Sequence, residues 1–233
     1  MSNLVQLGHF GGADLLALTL LALGWFASDW AVEHPPKARL SVSILMTGYR
    51  REWMRQFVTR QPRIFDATII DNLRQGTAFF ASASMIAIGG ALALVGNTER
   101  LLGLAADLTL DRAPAIVWEM KILLVMGFVT LAFLNFVWAH RLFGYCAIVM
   151  ASVPNDPDHP GALDRAGQAA EINISAARSF NRGLRNVYFA LGSMTWLLGA
   201  VPLMVGAILT VCVLFRREFA SHSREVLMRN TPK

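Results

Sequence analysis

Charge is scarce in this 233-residue chain: only 16% of it is Asp, Glu, Lys or Arg, against about 25% in a soluble domain. So few ionised side chains argue against an exterior bathed wholly in water. Cysteine is scarcer still. Cys146 and Cys212 both stand in apolar stretches with no CxxC pair, which excludes a disulfide framework, a zinc ribbon or a dithiol redox motif. The five histidines, His9, His34, His140, His159 and His222, do not pair at helical spacing with further ligands. The nearest carboxylates, Asp156 and Asp158 beside His159, fall in a Pro- and Gly-rich loop. No metal and no cofactor is expected. GxSxG, Walker and HExxH patterns are all missing, so hydrolase and kinase chemistry has no support and the chain is expected not to be an enzyme. It also lacks a helix-turn-helix or an aromatic-rich basic fold, which argues against nucleic acid as a partner. The N-terminus has no basic n-region, so the first apolar run is expected to be retained as a permanent span.

What is present is apolar length. Hydrophobic residues make up 55% of the chain and mean hydropathy is +0.45. Apolar runs of about 18 residues or more recur, the length at which a helix becomes a candidate membrane span. The expected fold is all-α: a polytopic transmembrane helical bundle of four or five spans, with cytoplasmic amphipathic helices, forming a single integral membrane domain. The spans are expected near 13–32, 76–96, 115–140, 184–200 and 202–217. Peripheral helices are expected near 41–60 and 162–180, with a short amphipathic piece at 64–73. The third span remains helix-compatible to Val153 unless Gly144 bends it.

In the stretch 41–60, Val42, Leu45, Met46, Tyr49, Trp53 and Phe57 recur at helical spacing, with arginines mainly on other faces. Such a helix suits the headgroup plane. Arg50, Arg51 and Arg55 are its candidate ligands for lipid phosphate, by charge-assisted hydrogen bonds. In the second span Ala83, Ala87 and Ala91, with Gly89 and Gly90, form a small-residue face suited to close helix packing inside the bundle. The stripe Leu163, Ala166, Ala170, Ile174 and Ala177 suits packing on another protein helix rather than lipid. Glu119, Lys121 and Asn135 are the polar candidates inside the third span.

The stretch from Asn186 to Arg217 has no charge until Arg216 and exceeds the ~20 residues of one span. Gly199 and Pro202 interrupt it, so it is either one long kinked helix or two helices in a hairpin. Basic residues judge between the two. A hairpin puts 18 Lys and Arg on one side against two on the other, whereas one kinked helix gives 13 against seven. The hairpin is favoured, with the N-terminus outside and the C-terminus cytoplasmic.

The segments FFASASMIAIGGALALVG, WEMKILLVMGFVTLAFLNFVWAHRLFGYCAIVMASVP, FNRGLRNVYFALGSMTWLLG and VLFRREFAS resemble a mostly bacterial, multi-pass membrane family of unknown function, number 599 in the unknown-function series. The likeness covers roughly residues 13 to 221. Gly144, in Arg141-Leu-Phe-Gly-Tyr-Cys, departs from the Asn that the family pattern carries there. The resemblance implies a bacterial inner-membrane protein and brings no activity or catalytic residue. The expected function is therefore a non-catalytic interaction or accessory subunit, binding anionic lipid and either a membrane protein partner or itself as a homo-oligomer. The alternative is a small oligomeric transporter or channel.

Overall fold

The computed structural model describes residues 10–97, 103 and 114–229. The link 97–113 is thus described only at residues 97 and 103. Arg100, Arg112 and Lys233, which enter the charge count, lie outside the described residues.

Every regular element among the described residues is helical. The order is α1 (Gly12–Glu33), α2 (Val42–Thr59), α3 (Ile64–Val95), α4 (Ala115–Ala151), α5 (Ala162–Met194), a 3-10 turn (Thr195–Leu198), α6 (Ala200–Phe219) and α7 (His222–Arg229). Four stretches are long and apolar enough to cross a membrane: α1, α3, α4 and the one that begins with α6.

Three boundaries differ from expectation, each toward longer helices. The pieces 64–73 and 76–96 are one helix, α3. The pieces 162–180 and 184–200 merge into α5, and α4 passes Gly144 without ending. The reason is common to all three. A polar residue or a lone glycine weakens a helix by only about 1 kcal/mol, whereas ending it strands several backbone groups. Proline follows the ends of α1, α2 and α4 within three residues, and Gly199, with its positive φ, ends the turn after α5. Pro202 falls in the first turn of α6, where its missing N–H costs little.

The chain comprises two compact units. Unit 1 comprises Met1–Ala31, Ala83–Ala132 and Leu184–Phe215. Leu21, Phe128, Phe189 and Leu203 fill its core. The long apolar run folds here as a hairpin, not as one kinked helix. Gly199 turns it, with φ at +123°, a region that side-chain-bearing residues avoid. The two arms then touch. A Cβ on Gly192 would sit 2.5 Å from Thr210 Oγ1, and one on Gly206 would sit 2.9 Å from the Gly192 carbonyl and also meet Thr195. Contacting numbers rise on one arm as they fall on the other, so the arms are antiparallel. Glycine is required at both places because the backbones approach so closely.

Unit 2 comprises Val32–Ser82, Phe133–Gly183 and Arg216–Lys233. Helix α2 starts at Ser41, whose hydroxyl accepts from Ile44 N at 3.3 Å and donates to the Val32 carbonyl at 2.8 Å. Its apolar face (Leu45, Met54, Phe57 and Val58) is buried. Met54, Phe57 and Val58 pack on Cys146, Met150, Ala166, Ala169 and Ala170. The expectation that this face lies in lipid is therefore corrected: it is covered by protein, because the small stripe of α5 offers a complementary surface. Ala166, Ala170 and Ile174 are buried as expected, while Leu163 is exposed. The tail is tied to the same unit. Glu218 accepts from the backbone and hydroxyl of Ser43 at 3.1 Å each, and the Tyr49 hydroxyl donates to the Leu227 carbonyl at 3.2 Å.

Candidate functional site: buried charges and an arginine-lined pocket

The three candidate lipid-binding arginines of α2 have different fates. Arg50 turns inward and donates through Nη1 to Asn173 Oδ1. Burial pushes its guanidinium below the ordinary arginine value. It does not present itself to a headgroup, which corrects the expectation for this residue. Arg51 is exposed and forms a two-pronged pair with Glu171, at 2.6 and 3.3 Å. The hydrogen bonds it donates to Glu171 hold its guanidinium above its ordinary value. Arg55 is exposed and pairs with Glu52 at 3.2 Å. A local reading of polar faces sees neither the Asn173 amide nor the Glu171 carboxylate, both on α5.

The small-residue face of α3 also departs from expectation. Ala83, Ala87, Gly89 and Gly90 are exposed, and Ala91 is half-buried. A Cβ on Gly89 or Gly90 would meet nothing within 4 Å. Ala91 alone joins a small cluster, with Trp118 and Ile122. In the most apolar window of α3 only 6% of residues are buried, so this helix presents its apolar sides outward. Small side chains permit close approach but supply little attraction of their own.

Of the polar trio in α4, Glu119 is half-buried and Lys121 is buried. Asn135 is half-buried and belongs to unit 2, while Glu119 and Lys121 belong to unit 1. Lys121 holds its ammonium over the ring of Trp118, 4.6 Å from the centroid, and lies 6.0 Å from that of Trp196. Trp196 in turn donates its Nε1–H to Asp14 Oδ1 at 2.8 Å. The lysine thus sits among aromatic faces that attract a cation.

The sequence reading missed two features. The first is a set of polar links between α1 and α5 in unit 1. Trp25 Nε1 donates to Asn186 Oδ1 at 2.9 Å. Arg185, whose side chain is 6% exposed, pairs with Asp29. Together with Asp14–Trp196, these links run antiparallel along the two helices. In unit 2 the Glu33–Arg182 pair repeats the pattern. The sequence signal was the acid at each end of the first apolar run, but nothing in it named the partners.

The second feature is the start of α3, in unit 2. Asp66 is fully buried. Its Oδ1 accepts from Trp53 Nε1 at 2.6 Å and from Arg60 Nη1, while Oδ2 has no partner. Beside it opens a pocket of about 310 Å³ whose lining includes Phe57, Arg63, Ile70, Arg74, Ala147 and Met150. Arg63 is pinned there: Nη1 donates to the Val153 carbonyl and Nη2 to that of Pro154, both at 2.9 Å. Its guanidinium also lies 4.5 Å from the Phe57 ring centroid. The Arg74 side chain has no hydrogen bond or ion pair among the described residues, and its Nε is shielded from solvent. Among the described residues no three His, Cys, Asp or Glu side chains converge as metal ligands.

The outward faces are consistent with lipid. Leu15, Leu16, Leu23, Phe26 and Trp30 of α1 are all more than 60% exposed, as is Ile86 of α3. In water such a surface would aggregate. Neither a curated protein nor a solved structure matches the chain. A family model described as "Protein of unknown function, DUF599" does match it, over residues 16–223. The chain, with its four apolar helices fit for a membrane, belongs to that family.

Proposed function

We propose that the protein is a non-catalytic, five-pass protein of a bacterial cytoplasmic membrane. In this reading its N-terminus is outside, its C-terminus is cytoplasmic, and its arginine-rich unit 2 faces anionic lipid. The observation that carries it is the hairpin at Gly199. It returns the chain after α5, so Arg216, Arg217, Arg224 and Arg229 join the side that already holds the basic segments 33–75 and 141–186. An excess of Lys and Arg marks the cytoplasmic face, where each basic residue near anionic headgroups contributes about 1 kcal/mol. The return pass, from Leu184 to Gly199, is short, and Arg185 is carried into it by its pair with Asp29. The outward small-residue face of α3 supports association with a membrane partner or a second copy.

Native mass spectrometry after gentle extraction tests this reading. The expected species is an assembly of fixed stoichiometry, with a second polypeptide or with itself, carrying anionic phospholipid. A lipid-free monomer that conducts solute across liposomes would overturn it in favour of the transporter. That second reading is favoured by one observation, the buried Lys121 between Trp118 and the Asp14-linked Trp196. Its own test is flux after Lys121→Met.

A further inference from the structure

The pocket at the start of α3 joins an apolar wall to two arginines, of which Arg63 also ties segments of unit 2 together. Its volume, about 310 Å³, stands at the lower end of small-ligand sites, which run from about 300 to 1,000 Å³. That is room for one head and the first part of one chain, not for a whole diacyl lipid. Its walls are chemically divided. Phe57, Ile70, Ala147 and Met150 make an apolar side, and Arg63 and Arg74 a cationic one.

The two arginines play different parts. Arg63 is fixed by the Val153, Pro154 and Val58 carbonyls and by the Phe57 ring, so it is a preset positive charge that cannot swing away. Arg74 forms no ion pair among the described residues. Asp71, one turn back on the same lining, accepts from Gln75 at 2.6 Å and does not pair with it. A guanidinium partly withdrawn from water without an anion is costly, and an arginine's planar donors suit a phosphate. Ile64, Phe65 and Ile148, within two residues of the lining Arg63 or Ala147 in sequence, are 71%, 64% and 70% exposed. A wholly water-soluble anion would have nothing to gain from such surroundings, whereas an acyl chain would.

We infer that this pocket binds a phosphate-headed, single-chain amphiphile, its phosphate on Arg74 and Arg63 and its chain along Phe57, Ile70, Ala147 and Met150. The inference rests on the reading that unit 2 faces anionic lipid, and it adds a defined, saturable site to that reading.

The test uses the full chain purified in a neutral detergent and three probes: a monoacylglycerol phosphate, the monoacylglycerol of the same chain length, and inorganic phosphate. Saturable one-to-one binding of the first is expected. The neutral analogue and free phosphate should each bind at least about tenfold more weakly, since a charge-assisted hydrogen bond and an apolar chain each contribute more than 1 kcal/mol. Arg74→Gln should weaken the anionic amphiphile by about tenfold or more. Because the Arg74 side chain has no hydrogen bond or ion pair among the described residues, helicity and thermal midpoint should not change. Ala147→Phe, which fills the apolar side, should weaken the amphiphile and leave bulk anionic lipid on the extracted protein. Equal binding of the neutral analogue, equal binding of free phosphate, or unchanged binding by Arg74→Gln would each overturn the site. If Arg74→Gln binds unchanged while anionic lipid is still retained on extraction, the pocket fails and the membrane reading stands. If wild type retains no anionic lipid at all, both fail.

Discussion

Asp66 shows how one residue ties three segments of chain. Its carboxylate is fully buried and holds Trp53 of α2, Arg60 of the α2–α3 connection and its own helix. Removing it leaves an indole N–H and a guanidinium without an acceptor, and breaking a pair of this kind costs about 3–5 kcal/mol when both partners are buried. Arg60 is 35% exposed, so water compensates part of the loss. Asp66→Ala is expected to destabilise unit 2 by about 2–3 kcal/mol. Hydrogen exchange at α2 checks this, and unaltered protection of α2 amides would contradict it. Asp29 and Arg185 allow a sharper comparison, because the arginine is the buried partner. Asp29→Ala should lower the thermal midpoint more than the double change Asp29→Ala/Arg185→Met, since the single change strands a cation in an apolar unit. A double variant less stable than the single one would refute the pairing.

At the scale of the element, the hairpin of α5 and α6 depends on three glycines. Gly199 holds a backbone conformation closed to side chains, and such strain costs about 1–3 kcal/mol. Gly192 and Gly206 remove the side chains that would hold the arms apart. Gly206→Leu is expected to separate the arms or to misfold unit 1, with overpacking of about 1–3 kcal/mol as a lower bound. Gly89→Leu, on the open face of α3, should leave the stability of the isolated chain unchanged, as nothing lies within 4 Å of the site. Thermal midpoints in detergent separate the two. The same elements show where a local reading stops. Each helix was visible in outline from its apolar period. Continuity was not, because the polar segments Arg74-Gln75 and Arg182–Arg185 read as boundaries when taken locally. In the folded chain Arg182 and Arg185 are satisfied by Glu33 and Asp29, so the helix has no reason to end there.

For the whole molecule, the decisive prediction concerns the sidedness of the C-terminus. A reporter fused after Lys233 should be active only on the cytoplasmic side. With the N-terminus outside, as proposed, an external signal would eliminate the five-pass topology, since the hairpin and a single kinked helix put Lys233 on opposite sides. A supporting result comes from charge. Replacing Arg216 and Arg217 by Glu should weaken that orientation only in part, because the tail holds five of the 18 basic residues on its side and it is the Lys and Arg excess that sets orientation.

The sequence by itself determined the class. Too little charge, too much apolar length and no catalytic motif lead to an all-helical membrane protein of a family without a known activity, because a hydrocarbon environment admits few other solutions. It also determined that Gly199 is a break. Tertiary structure decided everything that depends on which helix meets which. It covered the apolar face of α2 with protein and turned Arg50 inward to Asn173. It exposed the small face of α3 and set Arg63 and Arg74 around one pocket. The physical reason is the nature of the terms involved. Helix formation and burial in lipid depend on residues near one another in sequence. Pairing a buried charge depends on a partner more than a hundred positions away, as with Asp29 and Arg185, and no local pattern carries that information.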